Sequence, residues 1–400
     1  MPFCHAEIDP LMLGLGHPMS FMEKGEDASI DTSTPWGLAQ AYVDEGWDYL
    51  TANDGWNADG SMGGREFNRV PFSGNFSMTD SEGNSWTPYV PRNSPYEFTD
   101  TKKWQPLEES DGLRYITTQE HVTPHIGSTG RYFGFSSKED EEAFSSRTID
   151  RPDCLNRYKD VVHDVLDESA MTAGSLYKQV AISFFDDKVN SLIPLSVDYF
   201  LRRVHNNGIP QLSLEIQLAL YNGVLLTWKE KIHHDRPRPS TMIKHKLGDE
   251  LVEAYAGPDD GVQTMKASEW EPFMRTNPTS EYPSASAAFV RYELFARQVE
   301  NFLGDDKIEP PLQFPPSPPP PGFDEPPLVF SSWSEISQVC GDSRVWGGVN
   351  FAGAVPARAE LCGGMDMAMS IHDSLKSLKA GDESAAIFKT DVVELLVRPR

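Results

Sequence analysis

The stretch KEKIHHDRP, Lys229 to Pro237, packs more charged and titratable side chains together than any other part of the chain, directly behind the apolar run Leu218–Trp228. With that run helical, Lys229 and Arg236, seven residues apart, fall on one face two turns from each other. Pro237 and Pro239 then end the helix. Proline cannot continue the hydrogen-bond ladder and restricts the residue before it, which leaves Arg236 at a frayed end with its guanidinium free to turn inward. Such a pair of cations suits a tetrahedral oxyanion. Two later segments, YPSASAA from Tyr282 and SRVWGGVNF from Ser343, complete what reads as one anion-binding site.

Four hundred residues with 39% hydrophobic content are enough for a large core. The formal charge of −25, from 60 acidic against 35 basic residues, argues against nucleic acid or an anionic membrane as partner, because the long-range field repels both. Cys4, Cys154, Cys340 and Cys362 have no metal-type spacing, and so few cysteines do not make a disulfide scaffold. The N-terminal segment shows no basic stretch followed by an apolar core, so no signal peptide is expected, and no apolar run is long enough for a membrane span. The expectation is a soluble protein acting on a small molecule, in a compartment the sequence does not specify.

Residues 1–152 are rich in Gly, Asn, Asp, Ser, Pro and Trp, with one clear helical window at Trp36–Leu50. Aromatic tracts such as GNSWTPYVPRNSPYEF and TKKWQPLEES need a surface, so this part reads as a loop-rich wrap packed on the core. From 153 to 400 the periodicity is helical, with windows at Tyr158–Met171, Ser175–Arg203, Gln211–His233, Ser284–Leu303, Trp333–Val349 and Ala357–Leu378. Strand-like alternation is nearly absent there. A Pro-rich crossover spans 309–328, with FPPSPPPPGFDEPP as extended or turn structure. The fold class expected is mainly α: a helical bundle with a long N-terminal wrap, one compact unit overall in which the wrap packs on the bundle.

Tyr282 to Ala288 reads as a turn entering a helix, with Ser284 and Ser286 hydroxyls and backbone amides at its start. Helix starts attract phosphate-like anions, although a lone PSxS cap is common. Arg344 adds a guanidinium, Gly347 and Gly348 permit close backbone approach, and Asn350 follows Arg344 by six residues.

Taken in order, K-x6-RP, PSxS and SR-x5-N resemble the pattern K-x6-RP, PSGH, SR-x5-H of the vanadium-dependent haloperoxidase and type 2 phosphatidic acid phosphatase superfamily. The resemblance covers roughly 155–380, and KWQPL from Lys103 with HVTPHIG from His121 look like the N-terminal loops of haloperoxidase-type members. It implies a haloperoxidase-type helical bundle in which Lys229, Arg236, Ser284, Arg344 and the amide of Ala285 hold the oxygens of vanadate or phosphate. It also implies a weak tendency to form a homodimer. Both of the family's histidines are replaced, the acid–base one by Ser286 and the vanadium ligand by Asn350. A carboxamide is neither basic nor a good metal ligand, and a hydroxyl does not exchange protons near neutral pH as imidazole does. His234, between Lys229 and Arg236, is the nearest substitute acid or base, with His233, Asp235, His121, His125 and His372 more remote candidates.

The reading that follows is an enzyme of haloperoxidase type that keeps a cationic oxyanion pocket and does redox-neutral chemistry on an anionic or carbonyl small molecule, with phosphate or vanadate as the candidate bound anion. Two alternatives stand beside it: a vanadate-dependent haloperoxidase oxidising bromide or iodide, with Asn350 an atypical residue, and a homologue that binds an oxyanion without turnover.

Overall fold

The computed structural model describes residues 78–79, 85–86, 89–110, 115–122, 124, 132, 138–150, 158–204, 209–257, 260–290, 295–315, 327–356, 372–373 and 376. The window Trp36–Leu50, most of Ala357–Leu378, His125 and three of the four cysteines lie outside these stretches; Cys340 is buried.

Two short antiparallel pairs come first, β1 (Met78–Thr79) with β2 (Ser85–Trp86) and β3 (Glu108–Ser110) with β4 (Ile116–Thr118). Helices follow: α1 (Lys138–Ser145), α2 (Tyr158–Ala173), α3 (Leu176–Asp186), α4 (Lys188–Arg203), α5 (Ile209–His234) and α6 (Pro239–Leu247). The hairpin β5 (Leu251–Tyr255)–β6 (Val262–Lys266) leads to α7 (Ala285–Val290) and α8 (Phe295–Leu303). A second hairpin, β7 (Lys307–Phe314)–β8 (Leu328–Ser332), precedes α9 (Trp333–Trp346). The chain is mainly helical, as expected.

The expected helix Ser175–Arg203 is two helices. Ser175 opens α3 by accepting from the Lys178 amide, and the ladder breaks at Asp187, whose φ of −105° and ψ of 52° are not helical. Aspartates favour such breaks because their side chains compete for backbone partners; here Ser191 also donates its hydroxyl to the Phe184 and Asp187 carbonyls on either side of the break. The hairpins correct the expectation of a nearly strand-free second half. The crossover expected from residue 309 begins inside strand β7, where Pro310 and Pro311 lack amide donors and fall in the register shift between Lys307 and Leu312.

Two cores fix the bundle. In the larger, Phe184, Phe185, Tyr199, Phe200, Val299, Phe330 and Trp333 draw together α3, α4, α8, the second hairpin and α9. In the other, Val162, Leu166, Met242, Ile243, Trp270 and Phe351 join α2, α6 and the segment after α9. Each fully buried large apolar side chain stabilises by about 2–3 kcal/mol. Helix α9 packs on α3, α7 and α8, while α5 packs on α7 and α8. A smaller cluster of Val224, Leu225 and Trp228 with Ala285 packs the end of α5 against the start of α7.

Candidate functional site

Helix α5 stops at His234 because Asp235 takes a left-handed φ of 50° and returns its amide to the Lys231 carbonyl. Aspartate tolerates that conformation better than most residues. Pro237 and Pro239 then keep 236–238 extended and buried until Pro239 opens α6. At the far wall, α9 ends at Gly347 and Gly348. A Cβ at Gly347 would lie 2.4 Å from Met274 Sδ, and Gly348 combines a φ of 76° with a would-be Cβ 2.9 Å from the Trp270 ring. The turn they permit brings the Val349 and Asn350 amides back onto the Arg344 carbonyl, both at 3.2 Å.

That turn sets Asn350 against the loop that enters α7. Asn350 Oδ1 accepts from the Ser284 hydroxyl at 3.3 Å, while Nδ2 donates to the Glu281 carbonyl at 2.8 Å and to Glu281 Oε1 at 3.1 Å. Glu281 Oε1 also accepts from the Phe351 amide at 3.0 Å. Ser284, Asn350 and Glu281 are all buried, Glu281 completely. Ser284 and Asn350, two of the residues singled out from sequence, are thus joined directly. Ser286 and Ala285 lie in the first turn of α7, Ser286 buried and Ala285 half-buried.

Lys229 faces elsewhere. Its ammonium donates to the Ser145 and Arg147 carbonyls at the end of α1, and burial lowers its pKa below the ordinary lysine value, with the Glu230 charge acting the other way. Arg236 lies under the Tyr282 ring, its guanidinium carbon 5.4 Å from the ring centre. Arg344 is buried, donating to the Phe185 carbonyl at 3.0 Å and pairing at 3.3 Å with Asp186, the last residue of α3. His234 Nε2 is within 3.0 Å of the Ile149 carbonyl and 3.3 Å of Glu230 Oε2. Both partners are acceptors, so this nitrogen carries the proton and holds a strap of chain.

The remote candidates resolve as well. His121 donates Nδ1–H to the Val122 carbonyl and accepts the Ser280 amide on Nε2, wedged between Tyr89 and Trp104 as a satisfied core histidine. His233 is exposed, and His372 pairs with buried Glu215 on α5. Asp235 accepts from the Tyr89 hydroxyl at 2.9 Å and lies 3.9 Å from Lys103.

Sequence reasoning missed a second pair. The same K-x6-RP spacing recurs two residues later as Lys231 to Arg238-Pro239, and this pair bonds to the Thr279–Glu281 loop and to Val349. Lys231 donates to the Ser280 carbonyl and, at 3.5 Å, to that of Glu281, the carbonyl Asn350 also uses. Arg238 donates to the Thr279 carbonyl and hydroxyl and, at 2.9 Å, to the Val349 carbonyl next to Asn350. The overlapping repeat was the available signal. Glu281, just ahead of YPSAS, was missed too, and no spacing rule marks it.

The three segments stand in this order at the ends of α5 and α9 and the start of α7 of an α-helical bundle. Residues 211–377 match the family model described as the VCPO second helical-bundle domain, and all three segments lie within that span. The fold is similar to those of two solved structures, apo-type and holo-type bacterial vanadium-dependent chloroperoxidase. Each is 21% identical, with TM-scores of 0.68 and 0.66 over 92% and 93% of this chain and 79% and 78% of theirs. No curated protein matches the sequence. Among the described residues, no helix is long and apolar enough to cross a membrane.

As a donor set for vanadate these residues fit poorly. Asn350, where the resemblance would place a ligating imidazole, is a carboxamide whose oxygen and nitrogen are both engaged, and a buried carboxylate stands beside it.

Proposed function

We propose that this protein is a haloperoxidase-fold enzyme that does not oxidise halides through vanadate and instead carries out redox-neutral chemistry on a small carbonyl-bearing molecule. The observation that carries the reading is the two-ended engagement of Asn350, whose oxygen accepts from Ser284 and whose nitrogen donates to Glu281. A neutral amide held in this way offers no lone pair of imidazole type to a metal and no proton near neutral pH. What Ser284 and Asn350 supply is oriented hydrogen bonding, backed by the nearby charges of Lys231 and Arg238. Fixed polar groups of this kind stabilise charge that develops on a substrate oxygen.

The likeness in fold to vanadium-dependent chloroperoxidases favours the opposing reading, a working haloperoxidase. The two part in one assay: bromide and iodide oxidation with hydrogen peroxide and added orthovanadate, run on the parent and on Asn350→His. The parent is expected to give no vanadate-dependent oxidation. A vanadate-dependent rate in the parent would overturn the proposal.

A further inference from the structure

Glu281 is the one carboxylate among the described residues that touches Asn350, and nothing in the function proposed above uses its charge. Its side chain is completely buried. Oε1 takes the Asn350 Nδ2 and Phe351 amide donors, while Oε2 is buried with no hydrogen-bond partner. Burying a carboxylate with an unsatisfied oxygen is costly unless positive groups surround it. Two cations are anchored on the same segments, Lys231 Nζ on the Glu281 backbone carbonyl and Arg238 on the Val349 carbonyl beside Asn350.

We propose that the Glu281 carboxylate is the site's own resident anion, standing where an oxyanion ligand would need to lie among Ser284, Asn350 and Lys231, so that this chain refuses phosphate and vanadate. Two effects act together. The side chain takes the volume, and its charge repels a second anion: at about 4 Å in surroundings of intermediate polarity, two like charges cost about a thousand-fold in affinity. The inference rests on the reading of Ser284 and Asn350 as the site, but it requires no turnover. Vanadate binding without halide oxidation would sink it and leave the proposed function standing; vanadate-dependent halide oxidation by the parent would sink both.

The test is thermal unfolding of the full chain in increasing acetate, inorganic phosphate and orthovanadate, for the parent, Glu281→Ala and Glu281→Gln. The parent is expected to show a flat Tm with all three anions. Glu281→Ala, which leaves a carboxylate-sized space among the same donors, is expected to gain a saturable rise in Tm with acetate, and with phosphate if the space admits it. Glu281→Gln fills the space and is expected to stay flat with acetate. Should Glu281→Ala fail to fold in plain buffer, its refolding yield in acetate becomes the readout, and the proposal requires that yield to rise. A saturable response in the parent, an equal response in Glu281→Gln, or none in Glu281→Ala overturns it.

Discussion

Lys229 and Lys231 leave α5 two residues apart, about 200° around the helix from each other, and their ammonium groups reach different parts of the molecule. The outer set, Lys229, Glu230 and His234, takes the carbonyls of Ser145, Arg147 and Ile149 and the Ile149 amide, while Tyr282 takes the Asp150 carbonyl from beside it. It fastens the chain after α1 onto the bundle. The inner set, Lys231 and Arg238, reaches the Thr279–Glu281 loop and Val349, and so holds the two segments that meet at Ser284 and Asn350. The spacing K-x6-RP is satisfied by both pairs. What separates them is burial: Lys231 is 1% exposed, whereas the Lys229 side chain is 27% exposed.

The contrast can be broken most sharply at Arg238. Arg238→Met orphans three buried acceptors and is expected to cost about 3–5 kcal/mol in urea unfolding, against about 1 kcal/mol for Lys229→Met, whose acceptors are nearer to water. Equal losses would erase the distinction between inner and outer sets.

Asp235, at the turn between the sets, gives a pH-dependent measure. Burial pushes its carboxyl up to about 6, Asp100 adding to the rise while the Tyr89 hydrogen bond, the Lys103 charge and the Trp104 amide oppose it. A raised pKa contributes stability that is complete below the unfolded value near pH 4 and is lost as pH rises through about 6. The shift corresponds to about 3 kcal/mol. Asp235→Asn, which cannot ionise, is therefore expected to gain on the parent by up to that amount between pH 4 and pH 8, followed by urea midpoints. A gap that narrows over this range would show that Asp235 is held ionised.

Gly348→Ala tests the inner set from its other wall. The strained φ and the close Trp270 ring predict a loss of about 2 kcal/mol, accompanied by displacement of Asn350 and of the Val349 carbonyl that Arg238 uses. The smallest effect belongs to Glu230. Burial alone would raise its pKa, but the hydrogen bonds from His234 and the Ile149 amide, with the charges of His234 and Lys229, bring it below the ordinary glutamate value. That stability is present above about pH 4.3 and lost as pH falls through the lower folded value. Glu230→Gln should flatten the stability slope between pH 5 and pH 3.

Much of this was legible in the residues. Helical periodicity located α2, α5 and α9 within a few positions, because their apolar faces repeat over several turns. The three chemical segments announced the class of fold through their order. The inner register was not legible, since spacing along a helix is blind to which of two faces a tertiary neighbour will cover. The break at Asp187 depends on the hydroxyl of Ser191 finding carbonyls across it, a contact no periodicity encodes. The second hairpin was hidden by its own prolines, which read as a crossover until the register shift gave them a place. Glu281 was hidden because a carboxylate beside an anion motif contradicts the motif, and pattern reading follows the motif.

The second hairpin carries one more consequence, for the engineer. Phe314 and Leu328 are direct partners in the ladder, so the chain leaves and re-enters the bundle at neighbouring points. A short turn, an affinity tag or a reporter domain spliced between these two ladder partners would close a loop whose ends the ladder already holds together, with little closure penalty.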